Sequence, residues 1–387
     1  MTVTSVSGFF ASGITCGLKP SGDSDLALVA HADGVPITAA GVFTSNKMTA
    51  APVQICKEYL SATGGQAAAV VLNSGNANAA TGEKGKNDAR VMAKSTAEYL
   101  GCKTEEVLVC STGWIGYPLP IEKIKKGIPE LVESLDSTGG MKAAKAIMTT
   151  DTVPKTVEIK KETFTVGGIA KGAAMLEPNM ATMLAVLTTD AEIDAPTATK
   201  MLQEAVASSF NCLTVDGAES TNDTVLLLAS GESKLTNKEE LAEALKEACA
   251  SLAIQMADDA EGSTKTVFLS VSGAATDAEA LKGARDTANC QLVKCSWYGE
   301  DPYWGRIAAE MGAAGITFDP ETITISYGEQ IVYAHGETQS VDEKSLQEHM
   351  AGRQIKLDVD LGQGSGTAQI VTTDLSPAYI DENMRTS

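Results

Sequence analysis

The stretch Val166-Gly167-Gly168-Ile169-Ala170-Lys171-Gly172-Ala173-Ala174-Met175-Leu176-Glu177-Pro178-Asn179-Met180-Ala181-Thr182-Met183-Leu184-Ala185-Val186-Leu187 decides how this chain is read. Glycines crowd its first half, and an apolar run follows Thr182. The pattern suits a strained turn entering a buried strand, with Thr182 at the start of the strand and the preceding peptide accessible to its own hydroxyl. A core strand with an incidental threonine has the same pattern, and spacing does not separate the two.

Outward from that threonine, the usual helpers of a nucleophile are scarce. His31, His335 and His349 are the only histidines, and none stands beside a G-x-S-x-G elbow. His335 falls in the turn after Ile331-Val332-Tyr333 and His349 in a polar run, so both read as surface residues. Nucleophilic catalysis without histidine needs a lysine, a carboxylate or a freed α-amine as base, and an α-amine has a reference pKa of about 8. Gly82-Glu83-Lys84-Gly85-Lys86-Asn87 lacks the leading glycine and the final Ser/Thr of a phosphate loop and reads as a surface turn.

Composition narrows the function classes. The 387 residues are 43% hydrophobic and 21% charged, enough to bury a sizeable core in one large domain or two modest ones. Aromatics make up only 5%, so packing relies on small and aliphatic side chains. A net charge of −20 repels phosphate backbones, and no Lys/Arg stripe reverses this locally, which disfavours nucleic acid as a partner. Eight scattered cysteines form no C-x-x-C pair or Cys/His set, so neither disulfides nor a metal site is expected, and most of the thiols read as buried small hydrophobes. The amino terminus lacks a basic signal region and no apolar run is long enough for a membrane. A soluble, cytoplasmic protein is expected, or an organellar one whose transit peptide has been removed.

Short strands and Gly/Asn/Ser turns alternate in the first half, as in Ala67 to Leu72 followed by the polar loop Asn73-Ser74-Gly75-Asn76-Ala77-Asn78. Helices are expected over Asn87 to Leu100, over Asp194 to Phe210 with Asp194 as cap, and from Thr236 to about Met256, where Thr236 and Glu239 have capping-box spacing. Leu241, Leu245, Ala248 and Leu252 form the core stripe of that last helix. Ile355 to Leu361 alternates as a strand, and after a Gly-rich turn Ala368 to Thr373 answers as a second. Glu158 to Gly172, charged then Gly-rich, reads as a linker candidate. The mixture, without regular βα alternation, indicates an α+β fold of stacked layers.

Lys171-Gly172 through Met180-Ala181-Thr182-Met183-Leu184, with Thr188-Thr189-Asp190-Ala191, resembles the signature of the ornithine acetyltransferase family, the ArgJ-type enzymes of arginine biosynthesis. The resemblance extends to Asn73 to Asn78, Ser111-Thr112-Gly113, Thr149-Thr150-Asp151-Thr152, Thr221-Asn222-Asp223-Thr224, Glu261-Gly262-Ser263-Thr264-Lys265 and Asp301-Pro302-Tyr303-Trp304-Gly305-Arg306, and so covers nearly the whole chain. It implies a layered α-β-β-α sandwich and a precursor that cuts itself between Ala181 and Thr182. An α segment (1–181) and a β segment (182–387) then stay associated as one intertwined unit, in an assembly of two copies of each or more.

The same resemblance implies ping-pong transfer of acetyl from N2-acetylornithine to L-glutamate through an ester on Thr182, with acetyl-CoA as an additional donor in the bifunctional subclass and no cofactor. It makes Thr112 and Gly113 the oxyanion hole, and Thr149, Lys171, Thr182, Glu261, Asn383 and Ser387 the substrate contacts; Thr150 and Thr152 are alternatives to Thr149. Ser387 stands one residue closer to Asn383 than in the family pattern, and Tyr303 replaces an asparagine in a block read as structural. An aminopeptidase or amidase of the same self-cleaving fold, and a non-catalytic amino-acid-binding relative, are the competing readings.

Overall fold

The computed structural model describes residues 1–177, 183–233 and 237–384. Thr182, Ala181, Thr236 and Ser387 therefore lie outside the described residues. The chain forms two compact units: Met1–Asn211 with Ala218–Met256, and Cys212–Gly217 with the chain from Ala257 onward.

In the first unit the elements run β1 (Phe9–Ile14), β2 (Leu26–His31), β3 (Ile37–Phe43), α1 (Ala51–Ala62), β4 (Gln66–Ala67), β5 (Ala69–Asn73), α2 (Gly82–Leu100), β6 (Val107–Ser111), α3 (Ile121–Glu133) and α4 (Gly140–Ala146). They continue with β7 (Lys155–Lys160), β8 (Thr165–Lys171), β9 (Leu184–Thr189), α5 (Ala195–Ala207), β10 (Thr224–Ala229) and α6 (Lys238–Asp258). Among the described residues these strands make a four-stranded sheet, β1-β2-β5-β6, and a six-stranded sheet, β4-β3-β10-β9-β8-β7.

The two sheets share one core. Leu184, Val186, Leu226 and Leu228, alternate residues of β9 and β10, pack into the same apolar cluster as Leu28, Val70, Val71 and Leu108 of the four-stranded sheet. Leu187 points the other way, to the face where Leu252 of α6 packs over Gly168. Helices α2 and α3 lie against the four-stranded sheet, and α5 against β3 of the other. The unit is thus layered α-β-β-α, and strands buried on both faces read as near-continuous apolar runs rather than alternating, with polar residues such as Thr188, Thr189 and Thr224 at their ends. All six residues of β9 are buried, as are all six of β10.

The second unit contains β11 (Thr266–Ala274), α7 (Asp277–Asn289), α8 (Gln291–Tyr298), α9 (Trp304–Ala313), β12 (Thr324–Tyr327), β13 (Gln330–Ala334), β14 (Glu337–Thr338), α10 (Glu343–Ala351), β15 (Gln354–Asp360), β16 (Gly366–Thr373) and α11 (Pro377–Asn383). Its sheet has the order β14-β13-β12-β15-β11-β16, with α7 packed on β11 and β16. Trp297 is fully buried in its core and donates its indole N–H to the Tyr327 hydroxyl at 3.3 Å.

Several expectations need correction. Glu158 to Gly172 is no linker: β7 and β8 pair antiparallel from Lys155↔Ala170 to Lys160↔Thr165 at the edge of the six-stranded sheet. Its charge comes from the edge strand β7, where Thr156 and Glu158 are only half-buried and Lys160 is exposed. Gly82 to Lys86 is the first turn of α2, which begins five residues before the expected Asn87. Strands β15 and β16 do not pair with each other; β11 inserts between them, parallel to β15 and antiparallel to β16.

Other readings agree with the structure. Asp194 caps α5, accepting from Thr197 N–H at 2.9 Å. At the start of α6 the described cap is Asn237, whose Oδ1 accepts from Glu239 and Glu240 N–H. The stripe Leu241, Leu245, Ala248 and Leu252 is completely buried. Trp304 stacks on Tyr333 at 4.0 Å and Arg306 donates to the Leu292 carbonyl, so that block is structural. All eight cysteines are free thiols, but only Cys56, Cys110 and Cys249 are buried, and Cys295 is exposed. Among the described residues no helix is long and apolar enough to cross a membrane.

Candidate active site

Strand β6 is buried along its length and delivers Thr112-Gly113 at its end. The Asn73 to Asn78 loop fixes that end. Thr112 N–H donates to the Asn73 carbonyl at 3.0 Å and Ser111 Oγ donates to Asn73 Oδ1 at 2.6 Å. Asn222 adds a third tie, its Nδ2 donating to the carbonyls of Ala77 (2.6 Å) and Ser111 (2.9 Å). The loop's polar side chains are spent mostly on backbone carbonyls, of Asn76, Ala146, Tyr117 and Gly85, which makes it a scaffold for Thr112.

Gly113 is required by shape. Its φ is +130°, and an added Cβ would lie 2.5 Å from Asn76 N and from Gly75 C. A side chain there would push the turn away from the loop that holds it.

Lys171, the last residue of β8, is buried and its Nζ donates to Thr112 Oγ1 at 3.3 Å. The structure thus brings together two residues 59 positions apart. Beside them Asp151 gathers the neighbouring backbone: its Oδ1 accepts from Lys155 Nζ (2.6 Å) and Gly172 N–H (2.8 Å), and its Oδ2 from Thr149 N–H (2.9 Å). Burial would raise the Asp151 carboxyl, but the charges of Lys171 and Lys155 and the hydrogen bonds from Lys155 and Thr149 outweigh it and hold the group at about 2. Thr149 is half-buried in this turn, whereas Thr150 and Thr152 are exposed.

A second acid completes the cluster. Asp223, just before β10, is fully buried, and its Oδ1 accepts from Met183 N–H at 3.0 Å. Its Oδ2 is buried with no hydrogen-bond partner among the described residues. Burial pushes this carboxyl well above the usual range, against the Met183 amide, the Ser220 hydroxyl and the Lys171 charge; Ser220 favours the ionised form without reaching bonding geometry at Oδ2.

In the second unit, Asn383 of α11 donates from Nδ2 to Glu261 Oε2 at 2.8 Å and to the Tyr379 carbonyl at 2.9 Å. Ser376 caps α11, accepting from Ala378 N–H at 3.1 Å, while its hydroxyl donates to the Gly262 carbonyl. Gly262 (φ +62°) has no room for a Cβ, which would meet Tyr379 N at 2.2 Å. Thr112, Gly113, Lys171 and Thr149 thus gather in the first unit, and Glu261 with Asn383 in the second. Asp151 and Asp223 were visible in sequence only as members of polar blocks. Nothing in Thr-Thr-Asp-Thr or Thr-Asn-Asp-Thr marks a buried carboxylate, because burial is set by strands remote in sequence.

The model of the ArgJ family matches residues 10–386. The arginine biosynthesis bifunctional protein of Streptomyces avermitilis is 46% identical over 384 residues, spanning 99% of this chain and 99% of its own length. The protein of the same name from Mycolicibacterium paratuberculosis is 47% identical over 391 residues, spanning 98% and 95%. Among solved structures, ornithine acetyltransferase from Mycobacterium tuberculosis in complex with ornithine is 43% identical, with a TM-score of 0.44, covering 46% of this chain and 94% of the solved one. With matched residues running through both units, and relatives of this identity along nearly their full length, the chain belongs to the ArgJ family.

Proposed function

We propose that the chain is an acetyl-transferring enzyme of arginine biosynthesis, which cuts itself between Ala181 and Thr182 and moves acetyl from N2-acetylornithine to L-glutamate through an ester on Thr182. Family membership supports the reaction class. The observation that supports the chemistry is the buried Lys171–Thr112 contact beside a glycine that only the unsubstituted backbone can fill.

The freed α-amine of Thr182 takes the proton of its hydroxyl, and the oxygen attacks the acetyl carbonyl. Negative charge then develops on the carbonyl oxygen, where the Thr112 hydroxyl and the Gly113 N–H are the assigned donors. An ammonium donating to Thr112 Oγ1 polarises that hydroxyl and strengthens it as a donor. Lys171 also supplies the cation for a substrate carboxylate, in a dry site where one buried charge counts for more than a distant, screened surface charge of −20. Ornithine leaves as the α-amine passes that proton to its departing nitrogen, glutamate's amine then attacks the ester and gives up a proton, and the Thr182 hydroxyl is restored.

Thr149 is the assigned substrate-contact threonine, since Asp151 fixes its amide while Thr150 and Thr152 face solvent. Glu261, steadied by Asn383, is assigned to a substrate ammonium, and Ser387 to the same carboxy-terminal set. Acetyl-CoA serves as second donor, a reading supported by relatives named as bifunctional. The α and β segments remain joined and assemble further.

Acetyl transfer to glutamate from N-acetylornithine, and separately from acetyl-CoA, tests the reading. Transfer from the first donor is expected, and a Thr182→Ala chain is expected to stay uncut and inactive. Release of free acetate without transfer to glutamate would replace it with the hydrolase reading.

A further inference from the structure

The loop between β1 and β2 is held by a buried acid that the acetyl transfer leaves unused. Asp25 is fully buried, and its carboxylate accepts from the backbone N–H of Cys16 at 2.6 Å and of Lys19 at 3.0 Å, with Leu18 N–H as a third donor. Three amides offset the cost of burying that charge. The Asp25 carbonyl accepts from Ser74 N–H at 3.0 Å, which fastens the same loop to the Asn73 to Asn78 scaffold. A Cβ built on Gly75 would meet Lys19 Cγ at 3.3 Å, and one on Gly113 would meet Gly75 C at 2.5 Å. The stem of Lys19 and the turn at Thr112-Gly113 therefore lean on the same glycine.

The Lys19 ammonium is half-buried and donates to the Ser24 carbonyl at 2.8 Å; among the described residues it makes no other hydrogen bond and no ion pair. Burial lowers its pKa below the ordinary lysine value, the carboxylates of Asp25, Asp23 and Asp151 pull it back up, and the Lys171 charge opposes them. Asp151 and Lys171 are buried members of the candidate site, and Lys19 stands near enough to feel the charge of both. A second cation thus accompanies the first, with donor capacity that the protein itself does not fill. Such an ammonium gains from a carboxylate that meets it away from bulk water.

The two substrates of the proposed reaction share an α-carboxylate and differ at the far end, where N2-acetylornithine carries an ammonium and glutamate a second carboxylate. One lysine serves the shared group, and the extra charge of glutamate needs another partner. We propose that Lys19 selects glutamate as the acceptor: Lys171 takes the carboxylate common to both substrates, and Lys19 takes the side-chain carboxylate that only the acceptor has. This inference rests on the acetyl-transfer reading above. No covalent bond forms or breaks at Lys19.

The test uses the full chain as wild type, Lys19→Met and Lys19→Arg, with kcat/KM measured for N-acetylornithine, for glutamate and for glutamine, whose side-chain end is neutral. In a ping-pong scheme kcat/KM for an acceptor reports only the second half-reaction. For Lys19→Met we expect kcat/KM for glutamate to fall at least about tenfold and the preference for glutamate over glutamine to shrink by the same factor, with a much smaller loss for N-acetylornithine. Recovery of most of that preference in Lys19→Arg would support selection by charge. An unchanged glutamate-to-glutamine ratio in Lys19→Met overturns the proposal, as does an equal loss for donor and acceptor, the mark of a loop that only supports the fold. If Lys19→Met does not fold, Lys19→Gln is read by the same ratio, and a wild-type chain that uses glutamine as readily as glutamate overturns the role without any variant. A wild-type chain that acetylates neither amino acid would remove the acetyl-transfer reading itself, an outcome distinct from failure of Lys19 alone.

Discussion

Asp151 ties the start of β7, the end of β8 and the turn after α4 together through Lys155, Gly172 and Thr149, and its carboxyl sits below its unfolded value. A depressed folded value means that the stabilisation is present above the unfolded pKa of about 4 and disappears as pH falls through about 2, an effect of roughly 2 kcal/mol. Acid unfolding followed by circular dichroism should therefore steepen in that window, and Asp151→Asn should lose this component. The same substitution leaves two buried lysines facing a neutral amide and is expected to cost about 3–5 kcal/mol in chemical denaturation. Gly113→Ala forces a Cβ into the Asn76 and Gly75 backbone at a φ that disfavours side chains, so kcat should fall by about a hundredfold if Gly113 N–H is an oxyanion donor. A variant that keeps wild-type kcat would remove Gly113 from the site. Lys171→Ala should raise the donor KM and lower kcat together, since the same ammonium serves Thr112 and the substrate carboxylate.

At the level of elements, helix α11 holds Asn383 against Glu261, and its position depends on Ser376. Ser376→Ala removes the cap and the tie to Gly262, and should cost about 1 kcal/mol in thermal unfolding while raising substrate KM. Unchanged KM in that variant, or in Asn383→Ala, would detach the carboxy-terminal helix from substrate binding. Elements were legible where one local signal dominated: Asp194 before Pro196 marked a helix start, and the unbroken leucine stripe of α6 marked a core face. They were obscured where pairing partners lie far away. Charge on β7 hid an edge strand, and the insertion of β11 between β15 and β16 follows from contacts some 90 residues apart that no turn between them records. The candidate site divides in the same way. Thr112, Gly113 and Lys171 entered through recognised motifs, while the roles of Asp151 and Asp223 depend on burial and on hydrogen bonds made only in the fold.

Across the whole molecule, the six-stranded sheet interleaves strands from both sides of the proposed cut. Strand β9 pairs with β8 and β10, and β10 pairs with β3, so a break at Ala181–Thr182 would sever none of the sheet hydrogen bonds among the described residues. The two segments should therefore co-elute in native size exclusion and separate only in denaturant. The most direct test of the account is the intact mass of the purified protein under denaturing conditions, after brief incubation with N-acetylornithine and no glutamate. Two fragments meeting between Ala181 and Thr182 are predicted, with one acetyl group on the fragment that begins at Thr182. A single uncut chain that transfers acetyl at full rate would contradict it.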